Sequence, residues 1–183
     1  MSNPRIIAGS ARGIRIKDVP GDTTRPITDR VKENLFNIIG MDVVHSTWLD
    51  LFAGTGSVGL EALSRGADFV QFLDKERLAV NTIKSNLTTT RLSDRGQVQL
   101  TDAFDYLKSP ASRRFDYVYI APPQYHDLWR KALTELDLHP AFLSEDGWII
   151  AQIDPVEYGE MQFAHFGEFD QRRYGSTLLV FYR

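Results

Sequence analysis

Residues Leu49 to Leu63 read LDLFAGTGSVGLEAL: an apolar run, glycines at Gly54, Gly56 and Gly59, then a segment of helical composition. A Gly-x-Gly-x-x-Gly that leaves a strand and opens a helix is the nucleotide-binding turn of an open α/β sheet. The rest of the chain agrees. From Thr47 onward β-type and helical stretches alternate: TWLDLF, SVGLEALSRG, DFVQFLD, a helix from Lys75 to about Thr89, QVQLTD, a short helix near Ala103 to Lys108, and FDYVYI. Such alternation predicts right-handed βαβ units and a mainly parallel sheet with helices on both faces. The end of the chain departs from it. GWIIAQID, EFDQRRYG and STLLVFYR read as successive strands, so an antiparallel pair is expected to close one sheet edge.

Ahead of the alternation, RIIAG and IRIKDV flank a glycine-bearing turn and predict a β-hairpin. Thr28 or Asp29 can then cap a helix whose Val31, Leu35, Phe36, Ile38 and Ile39 recur at helical spacing until Gly40. A chain of 183 residues can bury one sizeable core. No linker or repeat divides it, so one domain is expected over 1–183, with residues 1–40 as an extension.

Composition narrows the function classes. With 43% hydrophobic and 25% charged residues the chain is globular in type. It has no apolar run near the ~20 residues of a membrane-spanning helix, and no signal-peptide core at its start, so a cytoplasmic protein with no membrane partner is expected. The absence of cysteine excludes disulfides, thiolate zinc sites and cysteine nucleophiles. His45, His126, His139 and His165 show no ligand spacing, so no metal is expected. A net charge of −3 does not announce a nucleic-acid binder. Its distribution does suggest one, because Arg5, Arg12, Arg15 and Lys17 precede any acid and make the start of the chain locally basic. That stretch reads either as a solvated hairpin or as a phosphate-contacting arm.

The glycine loop implies a nucleoside ligand, and Asp50 selects among them. A dinucleotide would place an anionic pyrophosphate against this loop, where a carboxylate at the strand end opposes it. S-adenosylmethionine carries no phosphate but has a cationic amino group and a sulfonium, which Asp50 suits. Asp74 ends the next strand, where an acid can take ribose hydroxyls. Asp102 and Ala103 end the one after, where a carboxylate and an amide can hold an adenine edge. Each acid also has a structural reading, as a loop or helix cap. Three acids at successive strand ends line one crevice in an open α/β sheet.

The next strand stops abruptly at YIAPPQYH, since proline cannot donate to a sheet ladder. With this segment added, the chain closely resembles the bacterial small-subunit ribosomal RNA guanine-N2 methyltransferase family. The resemblance runs through RIIAGSARGIRI, TRPITDRVKENLFNIIG, LDLFAGTGSVGLEALSRGA, FDYVYIAPPQY and RRYGSTLLVFYR. It implies a class I S-adenosylmethionine-dependent methyltransferase fold with a seven-stranded, mainly parallel sheet, acting on an exocyclic guanine amine. It assigns Thr28 and its neighbours to a segment over the cofactor. Asp50 and the loop of Phe52, Ala53, Gly54, Thr55, Gly56 and Gly59 go to the methionine part, Asp74 with Lys75 to the ribose, and Asp102 with Ala103 to the adenine. The basic residues Arg5, Arg12, Arg15 and Lys17 become RNA contacts, with ribosomal RNA or the small subunit as partner.

In enzymes of this kind an Asp or Asn precedes two prolines and an aromatic residue. Side-chain and proline oxygens hold the amine, and the ring stacks on the base. Here Pro122 and Pro123 are present, but Ala121 stands in the acid's place and Gln124 separates the prolines from Tyr125. Three accounts stay open: Gln124 supplies the oxygen, the target is not a guanine amine, or the protein binds cofactor and RNA without chemistry. A nicotinamide-dependent oxidoreductase would rest on the glycine spacing alone.

Overall fold

Runs of β-branched and aromatic residues become seven strands of one sheet: β1 (Thr47–Asp50), β2 (Phe69–Asp74), β3 (Gly96–Leu100), β4 (Phe115–Ile120), β5 (Leu143–Ile153), β6 (Glu168–Tyr174) and β7 (Thr177–Tyr182). The computed structural model describes residues 4–21 and 26–183; Thr24 and Arg25 of the TRPIT segment lie outside the described residues. The strand order is β3-β2-β1-β4-β5-β7-β6. Strands β3, β2, β1, β4 and β5 pair in parallel, while β7 runs antiparallel between β5 and β6. The order departs from β1 in both directions, so the switch point that opens a ligand crevice lies between β1 and β4.

Among the described residues five α-helices cover the sheet: α1 (Asp29–Ile39), α2 (Ser57–Ser64), α3 (Arg77–Thr90), α4 (Ala103–Lys108) and α5 (Leu128–Leu138). Alternate residues of each strand point to opposite faces, and two apolar cores result. One joins α1, α2 and α3 to Trp48, Val70, Phe72, Tyr117 and Ile150. The other joins α4 and α5 to Leu49, Val118, Ile120, Ile149 and Val180, with Tyr158, Met161 and Phe163 of the stretch before β6 packed against it. Gly175, at φ +60°, is the first of two residues that turn β6 into β7. None of the described helices is long and apolar enough to cross a membrane.

The start of the chain folds back on itself as expected, but through one antiparallel bridge between Arg5 and Arg15 in place of two strands. Ile6 N–H donates to the Ile14 carbonyl, Gly13 N–H to that of Ile6 and Ile16 N–H to that of Pro4, and other groups of the segment bond to the helices. Ile7 and Ala8 N–H donate to the two carboxylate oxygens of Glu61 at 2.9 and 3.0 Å. Ala11 N–H donates to Ser64 Oγ at 2.9 Å, and the Asn86 side chain takes both the N–H and the carbonyl of Lys17. The arm is therefore a strap docked across α2 and α3, with its backbone groups satisfied partly across its own turn and partly by the helices.

A buried ion pair fixes the strap. Lys32 on α1 and Glu61 on α2 are both fully buried, with Nζ and Oε1 3.3 Å apart. The Lys32 ammonium also donates to the Arg5 carbonyl at 2.6 Å and to Ser57 Oγ at 3.0 Å, and Arg65 Nε meets Glu61 Oε2 at 2.8 Å. Burial pulls the Lys32 pKa below its ordinary value, and the Glu61 charge opposes that pull.

Candidate active site

The crevice at the carboxyl end of β1 is built around Asp50. Its side chain is buried, and its Oδ1 has no hydrogen-bond partner among the described residues. Burial, then the charge of Asp74, pushes its carboxyl up to about 8, while the Phe52 N–H pulls the other way. A buried carboxylate oxygen with no donor costs free energy unless a ligand supplies one.

The loop that follows is held to β2. Ala53 N–H donates to the Leu73 carbonyl at 2.9 Å and Gly54 N–H to Asp74 Oδ2 at 3.0 Å. Asp74 Oδ1 accepts from Glu76 N–H at 2.9 Å, so Asp74 joins the glycine loop to the end of its own strand. Gly54 and Gly56 sit at φ +57° and +81°, the left-handed region that favours glycine. Gly59 serves packing instead: a Cβ there would stand 2.3 Å from the Phe72 ring. Lys75 is exposed at the exit of β2.

Asp102 and Ala103 lie where β3 gives way to α4. Asp102 Oδ1 accepts from the N–H groups of Phe104 and Asp105 at 2.8 and 3.2 Å, an N-cap arrangement. Phe52 meets Phe104 edge to face with ring centroids 6.1 Å apart, which ties the β1 loop to the start of α4. Thr28 caps α1, its Oγ1 accepting from Val31 N–H at 3.3 Å. The side chains that Asp50, Asp74 and Asp102 bring to this edge of the sheet are carboxyl groups. They oppose a pyrophosphate, and the bare oxygen of Asp50 fits an ammonium such as the one S-adenosylmethionine carries.

The double-proline loop leaves β4 beside this crevice. Tyr119 is the register partner of Asp50, and its buried hydroxyl donates to the Gln152 side chain. Burial, then the Asp50 charge, holds that phenol well above its ordinary pKa. Beyond Ala121, Pro122, Pro123 and the exposed Gln124, Tyr125 adopts φ +67°. Its N–H donates to Glu157 Oε1 at 2.9 Å and its hydroxyl to Asp154 Oδ2 at 3.0 Å. Asp154 and Glu157 cap the short turn after β5, with Asp154 N–H donating to Glu157 Oε2 at 3.2 Å and Val156 N–H to Asp154 Oδ1 at 3.0 Å. Asp127 occupies the cap position of α5, and Trp129 is buried as packing.

Two pairs escape the first reading of the sequence. Asp154-Pro-x-Glu157 is a capping-box pattern, legible once the end of β5 is fixed. Lys32 falls at helical spacing with Leu35, Phe36 and Ile39, so a lysine on the apolar stripe of α1 signals a buried partner. Arg5, Arg12, Arg15 and Lys17 are all exposed along the strap, with Arg5 Nε 2.9 Å from Asp29. A groove of about 430 Å³ between the strap and α1 is lined by Arg5, Arg12, Glu33 and Arg65, among others.

Comparison with known proteins agrees with this architecture. Over 98% of both chains the sequence is 38% identical to "Putative rRNA methyltransferase YlbH" of Bacillus subtilis. It is also 38% identical to "Ribosomal RNA small subunit methyltransferase D" of Haemophilus influenzae, over 79% of this chain and 72% of that one. The solved structure of yhhF from Escherichia coli superposes with a TM-score of 0.88 at 27% identity, covering 99% of this chain and 97% of that one. An RNA methyltransferase from Salinibacter ruber in complex with S-adenosyl-L-homocysteine shares the fold at a TM-score of 0.64 and 14% identity, covering 86% of this chain and 92% of that one. The family described as Conserved hypothetical protein 95 matches residues 4–183. The chain therefore belongs to that family, alongside the ribosomal RNA small subunit methyltransferase D proteins.

Proposed function

We propose that the protein is an S-adenosylmethionine-dependent N-methyltransferase acting on an exocyclic guanine amine of small-subunit ribosomal RNA. The observation that carries the reading is the buried Oδ1 of Asp50, unpartnered among the described residues, at the mouth of a glycine loop and one strand away from the double-proline loop. Asp50 takes the ligand's ammonium, the amides of the Phe52 to Gly59 loop line its methionine part, and Asp74 and Asp102 face its ribose and adenine. When bound, S-adenosylmethionine supplies an electrophilic methyl group whose C–S bond breaks as the N–C bond forms, leaving S-adenosylhomocysteine.

The substrate side falls to Pro122, Pro123, Gln124 and Tyr125. A proline carbonyl and the Gln124 side-chain oxygen accept hydrogen bonds from the amine, and the Tyr125 ring lies against the base. Ala121 contributes no side-chain oxygen. Positioning does most of the work, because a near-attack geometry alone can supply several kcal/mol, up to roughly 7–11 in ideal cases. The amine loses its proton to water after the transfer, so no His/Asp base is needed. Arg5, Arg12, Arg15 and Lys17 contact RNA phosphates along the strap.

The test is methyl transfer from labelled S-adenosylmethionine to unmodified small-subunit particles, with nucleoside mass spectrometry of the product. N2-methylguanosine is the expected result. Intact cofactor binding with no incorporation would favour the reading in which Ala121 marks an RNA-binding or ribosome-binding protein that retains the fold without the chemistry.

A further inference from the structure

We infer that Asp154 and Glu157, on the turn after β5, are positioning residues that set Tyr125 as the platform for an unstacked nucleobase, an inference that rests on the proposed methyl transfer to RNA. Tyr125 stands at φ +67°, a conformation a bulky side chain avoids unless its surroundings impose it. Here the imposing groups are two carboxylates. Glu157 takes the Tyr125 N–H and Asp154 takes its hydroxyl, so the residue is gripped at both polar ends. Glu157 uses its second oxygen on the Asp154 N–H, which makes the two acids one rigid unit.

What the grip holds is a largely exposed aromatic side chain. Tyr125 is 65% exposed, and Val156, on the same turn, is 79% exposed. A tyrosine serving only the fold would bury its ring and leave its hydroxyl at the surface. This one is anchored through the hydroxyl and is largely exposed. The turn lies at the exit of β5, which pairs with β4 up to Ile120 opposite Ala151, so the clamp closes the substrate side of the crevice. A flat, apolar face with a fixed tilt suits a base splayed out of an RNA strand. The clamp also accounts for Gln124 in the place where the resemblance puts the aromatic residue: the ring arrives one position later and needs a second strand to hold it.

The variants are Tyr125→Phe, Asp154→Ala and the two combined, in the full chain. Each single change is expected to lower kcat/KM for the RNA about tenfold, as loss of one orienting hydrogen bond does. S-adenosylmethionine affinity is expected to hold in all three, and Tm in Tyr125→Phe, while Asp154→Ala should lower Tm slightly through loss of its cap on Val156. The double variant should fall no further than the weaker single one, because both remove the same contact. Wild-type kcat/KM in the singles, or multiplicative losses in the double, would overturn the inference. If the wild-type protein transfers no methyl group, the function reading fails alone, since 3-fluorotyrosine labelling reads the pair without turnover. The fluorine resonance lost in Tyr125→Phe should move in Asp154→Ala and on adding unmodified ribosomal RNA; a resonance indifferent to both rejects the clamp.

Discussion

Asp50 and Asp74 end neighbouring parallel strands, and the charge of Asp74 adds to burial in raising the Asp50 carboxyl to about 8 from its ordinary 3.8. In the ligand-free protein the folded chain therefore holds a proton that the unfolded chain has already released. The associated stability is full below pH ~4 and is lost as pH rises toward 8, with a slope of at most about 1.4 kcal/mol per unit. Asp50→Asn cannot ionise and should remove that slope. Urea unfolding at pH 5, 6, 7 and 8 measures it, and identical pH dependence in the two proteins would refute the assignment.

The same relationship reverses when a cation arrives. An ammonium beside Asp50 favours the carboxylate, so S-adenosylmethionine binding near pH 7 should release up to one proton from the protein. Calorimetric titration in two buffers of different ionisation enthalpy counts that proton. Asp50→Asn should abolish the release and weaken binding by roughly tenfold to a hundredfold, the worth of a charge-assisted hydrogen bond of about 1.5–3 kcal/mol. The substitution thus stabilises the ligand-free protein above neutral pH while weakening its complex.

Glu61 concentrates more structure than its place on α2 suggests. It accepts from two strap amides, Lys32 and Arg65 at once. Glu61→Ala leaves an uncompensated ammonium in the core and should destabilise the protein by about 3–5 kcal/mol. Adding Lys32→Met should recover a large part of that loss in urea unfolding. The strap should stay loosened, read as faster hydrogen exchange at Ile7 and Ala8, because their acceptor is gone in both variants.

Gly59 makes a narrower claim. With a Cβ 2.3 Å from the Phe72 ring, Gly59→Ala must shift α2 against β2, at a cost of about 1–3 kcal/mol for overpacking. The shift moves the amides of the glycine loop with the helix, so S-adenosylmethionine affinity should fall along with Tm. A drop in Tm at unchanged affinity would separate the helix from the loop.

Period and punctuation made most of this fold legible in advance. β4 occupies the FDYVYI run, and α1 starts after Thr28 and stops at Gly40, because each has its apolar period and its cap within a few residues. The parallel order followed from alternation. The docking of the strap escaped because its partners are 53, 54 and 69 residues away on α2 and α3: RIIAG and IRIKDV look like strands, while Glu61 and Ser64 take the amides of Ile7, Ala8 and Ala11 and Asn86 takes that of Lys17. The candidate site divides in the same way. Asp50, Asp74 and Asp102 could be named since strand ends gather at one edge of the sheet. The contact between Tyr125 and Asp154 could not, since residues 29 apart meet there through strand pairing and a left-handed loop.

Ala121 supplies the last prediction. It follows β4 directly and is partly buried against the core that contains Tyr119. If Gln124 provides the oxygen that a carboxylate would provide from this position, Gln124→Ala should cut the single-turnover rate about tenfold in the natural chain, the effect of one hydrogen bond to the amine. Ala121→Asp should raise that rate by about the same factor, because the acceptor then sits directly on the strand end instead of at a loop tip. Combining the two changes decides the matter. In the Ala121→Asp background, Gln124→Ala should have little further effect, since the amine has only two hydrogens to give and a proline carbonyl takes one. A full tenfold loss there would mean that Gln124 acts elsewhere on the RNA, and no turnover in any of the three would return the protein to the class of RNA binders.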